Sequence, residues 1–129
     1  IGQIESSNIR VNLFKKLKKK GFKFPIIKSP FSIISKNSNI NEGTIVLHNV
    51  VINSEAKIGK NCIINSSSLI EHGVIVGDNT HISTGAIING DCSIGKNSFI
   101  GSGAIIRQGV KIKDYSFVKM GCLIKKWVK

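Results

Sequence analysis

The 129-residue chain is long enough for one compact domain, and its 41% hydrophobic but only 6% aromatic content indicates a core of aliphatic side chains. No apolar run approaches the roughly 20 residues that span a bilayer, and no stretch is typical of a secretion signal, so a cytoplasmic location is expected. The formal charge of +12 is concentrated in residues 10–28 and 107–129. It suits a polyanionic partner such as nucleic acid, anionic lipid or a phosphate-bearing cofactor, although a solvated basic surface explains it as well.

The first predicted element is an amphipathic helix near the start of the chain. Ser6 or Ser7 can cap its N-terminus, and Gly21 can end it, because glycine readily adopts the left-handed conformation that follows many helices. The apolar residues that fall on one face of this helix are Ile9, Leu13 and Leu17.

A six-residue repeat dominates the rest of the chain. Every sixth residue from Ile34 to Ile124 is Ile or Val, and the residue four positions after each, from Ser38 to Val128, is small or β-branched. An α-helix would scatter positions six apart around its surface, whereas in an extended chain both columns point to the same side. The intervening positions are rich in Gly, Asn, Asp and Ser, which suit corners. The repeat therefore predicts short strands that alternate with turns.

The period also predicts how the strands stack. Three hexads close one triangular coil of eighteen residues, so each residue lies over the residue eighteen positions earlier, at the usual strand spacing of about 4.8 Å. Sixteen hexads make slightly more than five coils. Cys62, Cys92 and Cys122 fall in the inward columns, and their wide spacing argues against a disulfide framework or a metal site. The predicted fold is an all-β parallel β-helix of about five coils.

These hexads resemble the signature of the left-handed β-helix acyltransferases. The resemblance covers Ile34 to the C-terminus and implies the left hand, which the general crossover rule would not predict. Residues 65–86 further resemble the NeuD and PglD type of sugar O-/N-acetyltransferase, in which a second histidine follows the catalytic one nine residues later. The implied function is direct transfer of an acetyl group from acetyl-CoA to a sugar or nucleotide-linked amino sugar of a bacterial surface-glycan or sialic-acid-like pathway.

The same family accounts for the segment before the repeat. Residues 1–30 resemble the last strand and helix of its N-terminal sugar-nucleotide-binding α/β domain, through Ile1-Gly-Gln, Arg10, Gly21-Phe-Lys-Phe-Pro and Ser29-Pro. Residues 1–30 are therefore predicted to be a remnant of that domain, and residues 31–129 to form the acyltransferase domain. Since an initiator Met and a Gly-rich loop are lacking, the chain is expected to be a fragment.

The resemblance implies a catalytic role for His72. It matches the general base that takes a proton from the acceptor, a task suited to imidazole near neutral pH. The alternative is an ordinary surface histidine. An acidic residue often follows this base in the family, but Gly73 stands here, so Glu71 is the first substitute. By the eighteen-residue stacking, Glu55 and Asp91 lie one coil to either side of Gly73 and are further candidates.

Four other residues match binding positions of the family. His81 matches the residue that contacts acetyl-CoA, and Ser102 and Met120 match positions whose backbone lines the cofactor groove. Asn65 matches a substrate-site asparagine. The alternatives are a solvent-facing histidine and an unremarkable corner asparagine. His48 has no counterpart in the family and is expected at the surface.

Acetyl-CoA is the predicted co-substrate, with no metal, and Arg107 and the C-terminal lysines are expected to meet its phosphates. One alternative is a zinc enzyme like the γ-class carbonic anhydrases, which needs three converging histidines. His48, His72 and His81 lack that class's closely spaced pair. Another alternative is a non-catalytic assembly or nucleic-acid-binding module, although no aromatic interleaving supports it.

Outward apolar side chains predict a homotrimer, because a monomer would leave them exposed to water. Neither a nucleic-acid partner nor membrane insertion is expected. These residues are Ile63, Leu69, Ile75, Ile87, Phe99 and Ile105. The family's sites lie between subunits, so assembly and activity are expected to be linked. The sequence does not distinguish an amine from a hydroxyl acceptor.

Overall fold

A computed structural model describes residues 6–126 of the chain. It begins with one helix, α1 (Asn8–Lys19), and continues through strands of two residues each. The first six strands are β1 (Ile27–Lys28), β2 (Ile33–Ile34), β3 (Asn39–Ile40), β4 (Ile45–Val46), β5 (Val51–Ile52) and β6 (Lys57–Ile58). The next six are β7 (Ile63–Ile64), β8 (Leu69–Ile70), β9 (Ile75–Val76), β10 (His81–Ile82), β11 (Ile87–Ile88) and β12 (Ser93–Ile94). The last five are β13 (Phe99–Ile100), β14 (Ile105–Ile106), β15 (Lys111–Ile112), β16 (Phe117–Val118) and β17 (Leu123–Ile124).

The strands form three parallel sheets, one for each side of a triangular solenoid. Sheet A is β1-β4-β7-β10-β13-β16, sheet B is β2-β5-β8-β11-β14-β17, and sheet C is β3-β6-β9-β12-β15. Each strand pairs in register with the strand eighteen residues later, as His81 does with Phe99. The chain is a left-handed parallel β-helix of about five turns, which confirms the predicted fold.

The second residue of each strand points into the core. From Val46 to Val118 this column is at most 3% exposed, and the small column between, which includes Val50 and Ala56, is buried with it. The strand β1 adds one rung before the start of the repeat at Ile34, with Lys28 at the inward position. A lysine is tolerated at this terminal rung because it remains exposed to solvent.

The polar residues between the two inward-facing columns lie at the corners of the solenoid. Several non-glycine residues have a positive φ there, which Asn and Asp adopt more readily than most residues. The Asn and Asp residues among them are Asn49, Asn61, Asn79, Asp91 and Asn97. Corner backbone groups bond to the coil above or below, so the turns stack as regularly as the strands.

Helix α1 packs on sheet A through a face that only partly matches the predicted one. Arg10 is 7% exposed and its guanidinium donates to the backbone oxygen of Asn61, while Phe14 stacks on Phe24 with ring centroids 4.6 Å apart. Ile9 lies on the outer side and is 72% exposed. Leu13 and Leu17 line the cavity between the helix and sheet A, so two of the three predicted residues face the solenoid and only Ile9 does not.

The start of the helix agrees with the predicted cap position. Ser7 precedes α1, and Gly21 follows it with φ +87°. The hydroxyl of Ser7 makes no capping bond and instead donates to Asn97 Oδ1 at 3.2 Å, which ties the helix to a corner of the solenoid. The strand implied at residues 1–3 lies outside the described residues. The division into domains at residue 31 stays a prediction, and β1 lies on its N-terminal side. Within residues 6–126, no helix has the length and apolar character needed to cross a bilayer.

Candidate active site

Two clusters of polar side chains lie at two edges of the solenoid. The A–B edge is defined as the turns that follow the sheet A strands, and the B–C edge as the turns that follow the sheet B strands. His72 belongs to the B–C edge, in the turn between β8 and β9, whereas His81 lies on sheet A beside the A–B edge. The two histidines predicted to act on one reaction are therefore held at opposite edges of sheet B within one chain.

His72 projects from its turn between two carboxylates. Its side chain is 57% exposed; Nδ1 lies 3.6 Å from Glu71 Oε2, and Nε2 lies 3.8 Å from Asp91 Oδ2. Both distances are within ion-pair range but longer than a direct hydrogen bond. Glu55, the other acid stacked on Gly73, forms no ion pair with His72. An exposed imidazole flanked by two anions is suited to accept a proton, because the anions stabilise the positive charge that results.

The neighbours of His72 fix the geometry of this pair. Asn53 Nδ2 donates to Glu71 Oε2 at 2.8 Å, so the carboxylate is oriented from one coil below. A Cβ at Gly90 would lie 2.5 Å from His72 Cε1, so glycine leaves the space that the ring occupies. A Cβ at Gly73 would lie 2.4 Å from Asp91 Oδ1. Asp91 from the next coil thus lies beside His72 where the family has an acid directly after the base.

The A–B edge carries an open groove with a volume of about 640 Å³. The four residues that match binding positions of the family all line it. The lining consists of Asn65, His81, Ser83, Phe99, Gly101, Ser102, Phe117, Lys119 and Met120. The structure brings together His81, Ser102, Met120 and Asn65, which are widely separated in sequence; their roles stay predictions.

His81 is 7% exposed, which contradicts the alternative of a solvent-facing histidine. Its Nε2 lies 3.2 Å from Asn65 Nδ2, and its ring meets the Phe99 ring edge-on at 5.1 Å between centroids. Since the amide nitrogen is a donor, this contact fits a tautomer in which Nε2 accepts. The imidazole is therefore held in one orientation at one end of the groove.

The floor of the groove is apolar and its other end is cationic. Phe99 and Phe117 stack with centroids 5.3 Å apart, and Ser83 Oγ lies 2.9 Å from Ser102 Oγ. Lys119 lines the groove at the last coil. Such a groove fits an elongated ligand with an apolar middle and an anionic end. Arg107, also expected to meet phosphates, lies at the B–C edge instead.

Sequence reasoning missed several of these residues. Phe99, which was expected only at a subunit interface, and Phe117 lie one and two coils above His81, and Ser83 lies one coil above Asn65. Lys119 is one of the C-terminal lysines expected to meet phosphates, and it lies three coils above Asn65. The eighteen-residue stacking that identified Asp91 would have found all of them.

The remaining candidate residues do not add a nucleophile or a metal centre. Burial raises the pKa of the Cys62 thiol to about 11, so this thiol is protonated and unreactive at neutral pH. His48 contacts Ser29 and Phe31, away from His72 and from His81. In residues 6–126, no three His, Cys, Asp or Glu side chains gather in a way that would hold a metal ion.

Comparison with known protein sequences identifies one family. The sequence family described as the GMPPB C-terminal domain matches residues 28–128. No curated protein sequence matches the chain.

Several solved structures are similar to this chain over nearly its whole length. The acetyltransferase domain of PglB from Neisseria gonorrhoeae is 25% identical, with a TM-score of 0.95, over 98% of this chain and 62% of that one. PerB from Caulobacter crescentus, solved with CoA and GDP-perosamine, is 27% identical, with a TM-score of 0.94, over 97% and 60%. WeeI from Acinetobacter baumannii is 28% identical, with a TM-score of 0.82, over 97% and 61%. This chain therefore spans 60–62% of the length of these proteins.

Proposed function

Because the chain belongs to the family of the GMPPB C-terminal domain, we propose that it is the acetyl-CoA-binding part of an acetyltransferase acting on a sugar or nucleotide-linked amino sugar. The similar structures support the substrate class, since one is an acetyltransferase domain solved with acetyl coenzyme A and another is solved with CoA and GDP-perosamine.

The groove at the A–B edge is the observation that carries the proposal. Its stacked phenyl rings can cover the apolar pantetheine arm of acetyl-CoA, and Lys119 offers a cation to the phosphates at one end. At the other end, Asn65 and His81 are positioned to hydrogen-bond the polar atoms of the acetyl thioester. Each part of the groove thus matches one part of this co-substrate.

In the proposed reaction, His72 acts as the general base. It takes a proton from the acceptor amine or hydroxyl as the acceptor's lone pair attacks the thioester carbonyl carbon. The new C–N or C–O bond forms, the C–S bond breaks, and the released thiolate takes up the proton from the imidazolium. Glu71 and Asp91 stabilise the imidazolium between these two proton transfers. No acyl-enzyme forms, in keeping with the high pKa of the Cys62 thiol.

We further propose a homotrimer in which the site lies between copies. Within one chain the base and the groove lie at opposite edges of sheet B, so a neighbouring copy is needed to bring them together. The six outward apolar residues predicted for the interface fall on three faces, with Ile63 and Phe99 on sheet A and Ile75 on sheet C. Sheet B alone presents an outward column that is apolar throughout. This column is Ile33, Val51, Leu69, Ile87, Ile105 and Leu123.

A cytoplasmic location is part of the same proposal. The three cysteines are free thiols in the structure, which fits a reducing compartment.

The test is an acetyl-transfer assay on the whole protein with acetyl-CoA and a panel of nucleotide-linked amino sugars and neutral sugars. We expect transfer to at least one acceptor, and His72→Ala should lower kcat about a hundredfold while leaving CoA affinity and melting temperature nearly unchanged. The imidazole is an exposed corner side chain, so its removal leaves the core intact. A His72→Ala enzyme with the wild-type rate would refute the base assignment. Activity that disappears with a chelator would point to the zinc alternative.

A further inference from the structure

The A–B edge carries a second cluster of side chains beyond the groove, on the first two coils. Ser29 Oγ and His48 Nδ1 form a short hydrogen bond of 2.5 Å, and the rings of Phe31 and His48 meet at 5.9 Å in an edge-to-face arrangement. The backbone N–H of Phe31 donates to Ser29 Oγ at 3.1 Å. The three side chains therefore form one ordered unit.

Packing of the solenoid does not require this unit. Phe31 is 70% exposed and His48 is exposed as well, so neither contributes to the core. The Nε2 atom of His48 forms no hydrogen bond with any residue between 6 and 126. An exposed phenyl ring beside an available imidazole nitrogen offers one apolar surface and one polar contact, as ligand sites commonly do.

The position of this unit is fixed relative to the groove. The backbone N–H of Ser67 donates to the backbone oxygen of His48 at 2.9 Å, so His48 lies one coil below the turn that begins at Asn65. Successive coils are about 4.8 Å apart. The cluster thus continues the line of the groove on the side of Asn65, away from Lys119.

The groove itself has a direction. Lys119 marks the end that suits the phosphates of acetyl-CoA, so the thioester lies at the opposite end, beside Asn65 and His81. An acceptor that attacks the thioester along the same edge must approach from the coils that precede Asn65. Those coils are where Ser29, Phe31 and His48 are found.

We propose that Ser29, Phe31 and His48 form the subsite for the sugar ring of the acceptor, an inference that rests on the proposed function. The C–H face of the ring packs on Phe31, and a ring hydroxyl bonds to His48 Nε2. The hydrogen bond between Ser29 Oγ and His48 Nδ1 fixes the orientation of the imidazole. In this assignment His48 binds the acceptor and does not take its proton, which is left to His72.

The test measures steady-state kinetics of the whole protein carrying His48→Ala or Phe31→Ala, with acetyl-CoA and the best acceptor found for the wild type. Each change should raise the acceptor KM about tenfold while leaving kcat within about threefold and acetyl-CoA affinity nearly unchanged. Both side chains are exposed, so the variants should fold, and their melting temperatures check this. Phe22→Ala is the matched control, because Phe22 is also an exposed phenyl ring, 56% accessible, and lies outside the edge.

The outcomes separate this inference from the proposed function. If the wild type transfers no acetyl group to any acceptor, the proposed function fails and the subsite fails with it. If the wild type is active but both variants keep the wild-type acceptor KM, the subsite alone is overturned. A His48→Ala variant whose kcat falls while its acceptor KM is unchanged also overturns it, since His48 would then act in the chemical step.

Discussion

At His72, a residue from the next coil supplies a carboxylate that the neighbouring residue in the sequence does not. Its two carboxylates come from the same turn and from the next coil, as Glu71 and Asp91. Asp91 has φ +59°, a corner conformation that places its side chain over Gly73. The end of an exposed acidic side chain thus occupies the space above Gly73.

This arrangement predicts which acid supports the base. Asp91→Asn should lower kcat about tenfold, because the imidazolium loses one of its two flanking charges. Glu55→Gln is the matched control, since Glu55 stacks on the other side of Gly73 without pairing with His72. The measurement is kcat against pH for both variants in the whole protein. Equal effects of the two changes would show that general electrostatics, not the Asp91 contact, supports the base.

The structure also predicts the effect of an acid at position 73. Gly73→Glu would restore the acid that follows the base in the family, but a Cβ at this position would meet Asp91 Oδ1 at 2.4 Å, and the backbone has φ +65°. We expect Gly73→Glu to lower the melting temperature and to leave kcat no higher than in the wild type. A rise in kcat at unchanged stability would mean that Asp91 moves aside without loss.

At the scale of the strand, two adjacent residues separate core packing from assembly. In β11, Ile88 points inward and is 0% exposed, while Ile87 points outward on sheet B. Ile88→Ala should lower the free energy of unfolding by about 3 kcal/mol, as a buried large-to-small change does. Ile87→Ala should leave the fold of the single chain intact and weaken association.

Denaturant unfolding and light scattering at matched protein concentrations distinguish these two effects. If Ile88→Ala and Ile87→Ala shifted both measurements equally, the strand would not have separate core and interface sides. The same reasoning applies along the solenoid, because every rung of sheet B repeats the pattern.

At the scale of the molecule, the separation of His72 from the groove predicts complementation between inactive copies. His72→Ala lacks the base, and His81→Ala lacks a groove contact and should be nearly inactive at low acetyl-CoA. After the two are unfolded and refolded together, about a quarter of the sites in random trimers should combine an intact base from one copy with an intact groove from the next. The measurement is the rate at low acetyl-CoA against that of each variant refolded alone. A mixture no more active than the average of its components would place both halves of the site in one copy.

The repeat by itself determined the short strands, the turns between them and the eighteen-residue stacking of the coils. Its core column is aliphatic throughout because a polar residue there would be left without a partner. The left hand was implied only by the family resemblance. The family resemblance then identified His72, His81, Asn65, Ser102 and Met120, and four of these meet in one groove.

Only the tertiary structure decided which residues from different coils meet. Asp91 rather than Glu55 reaches His72, since side-chain direction at a corner depends on φ and on the space left by Gly73 and Gly90. The stacked floor of the groove and the buried state of His81 depend on neighbours eighteen residues away. Helix α1 packs through Arg10 because its partner, the backbone oxygen of Asn61 in the turn between β6 and β7, is in place only when the coils have stacked. Contacts between coils join residues that are far apart in the sequence. The spacing of residues within one hexad therefore does not predict which side chains fill the space between two coils.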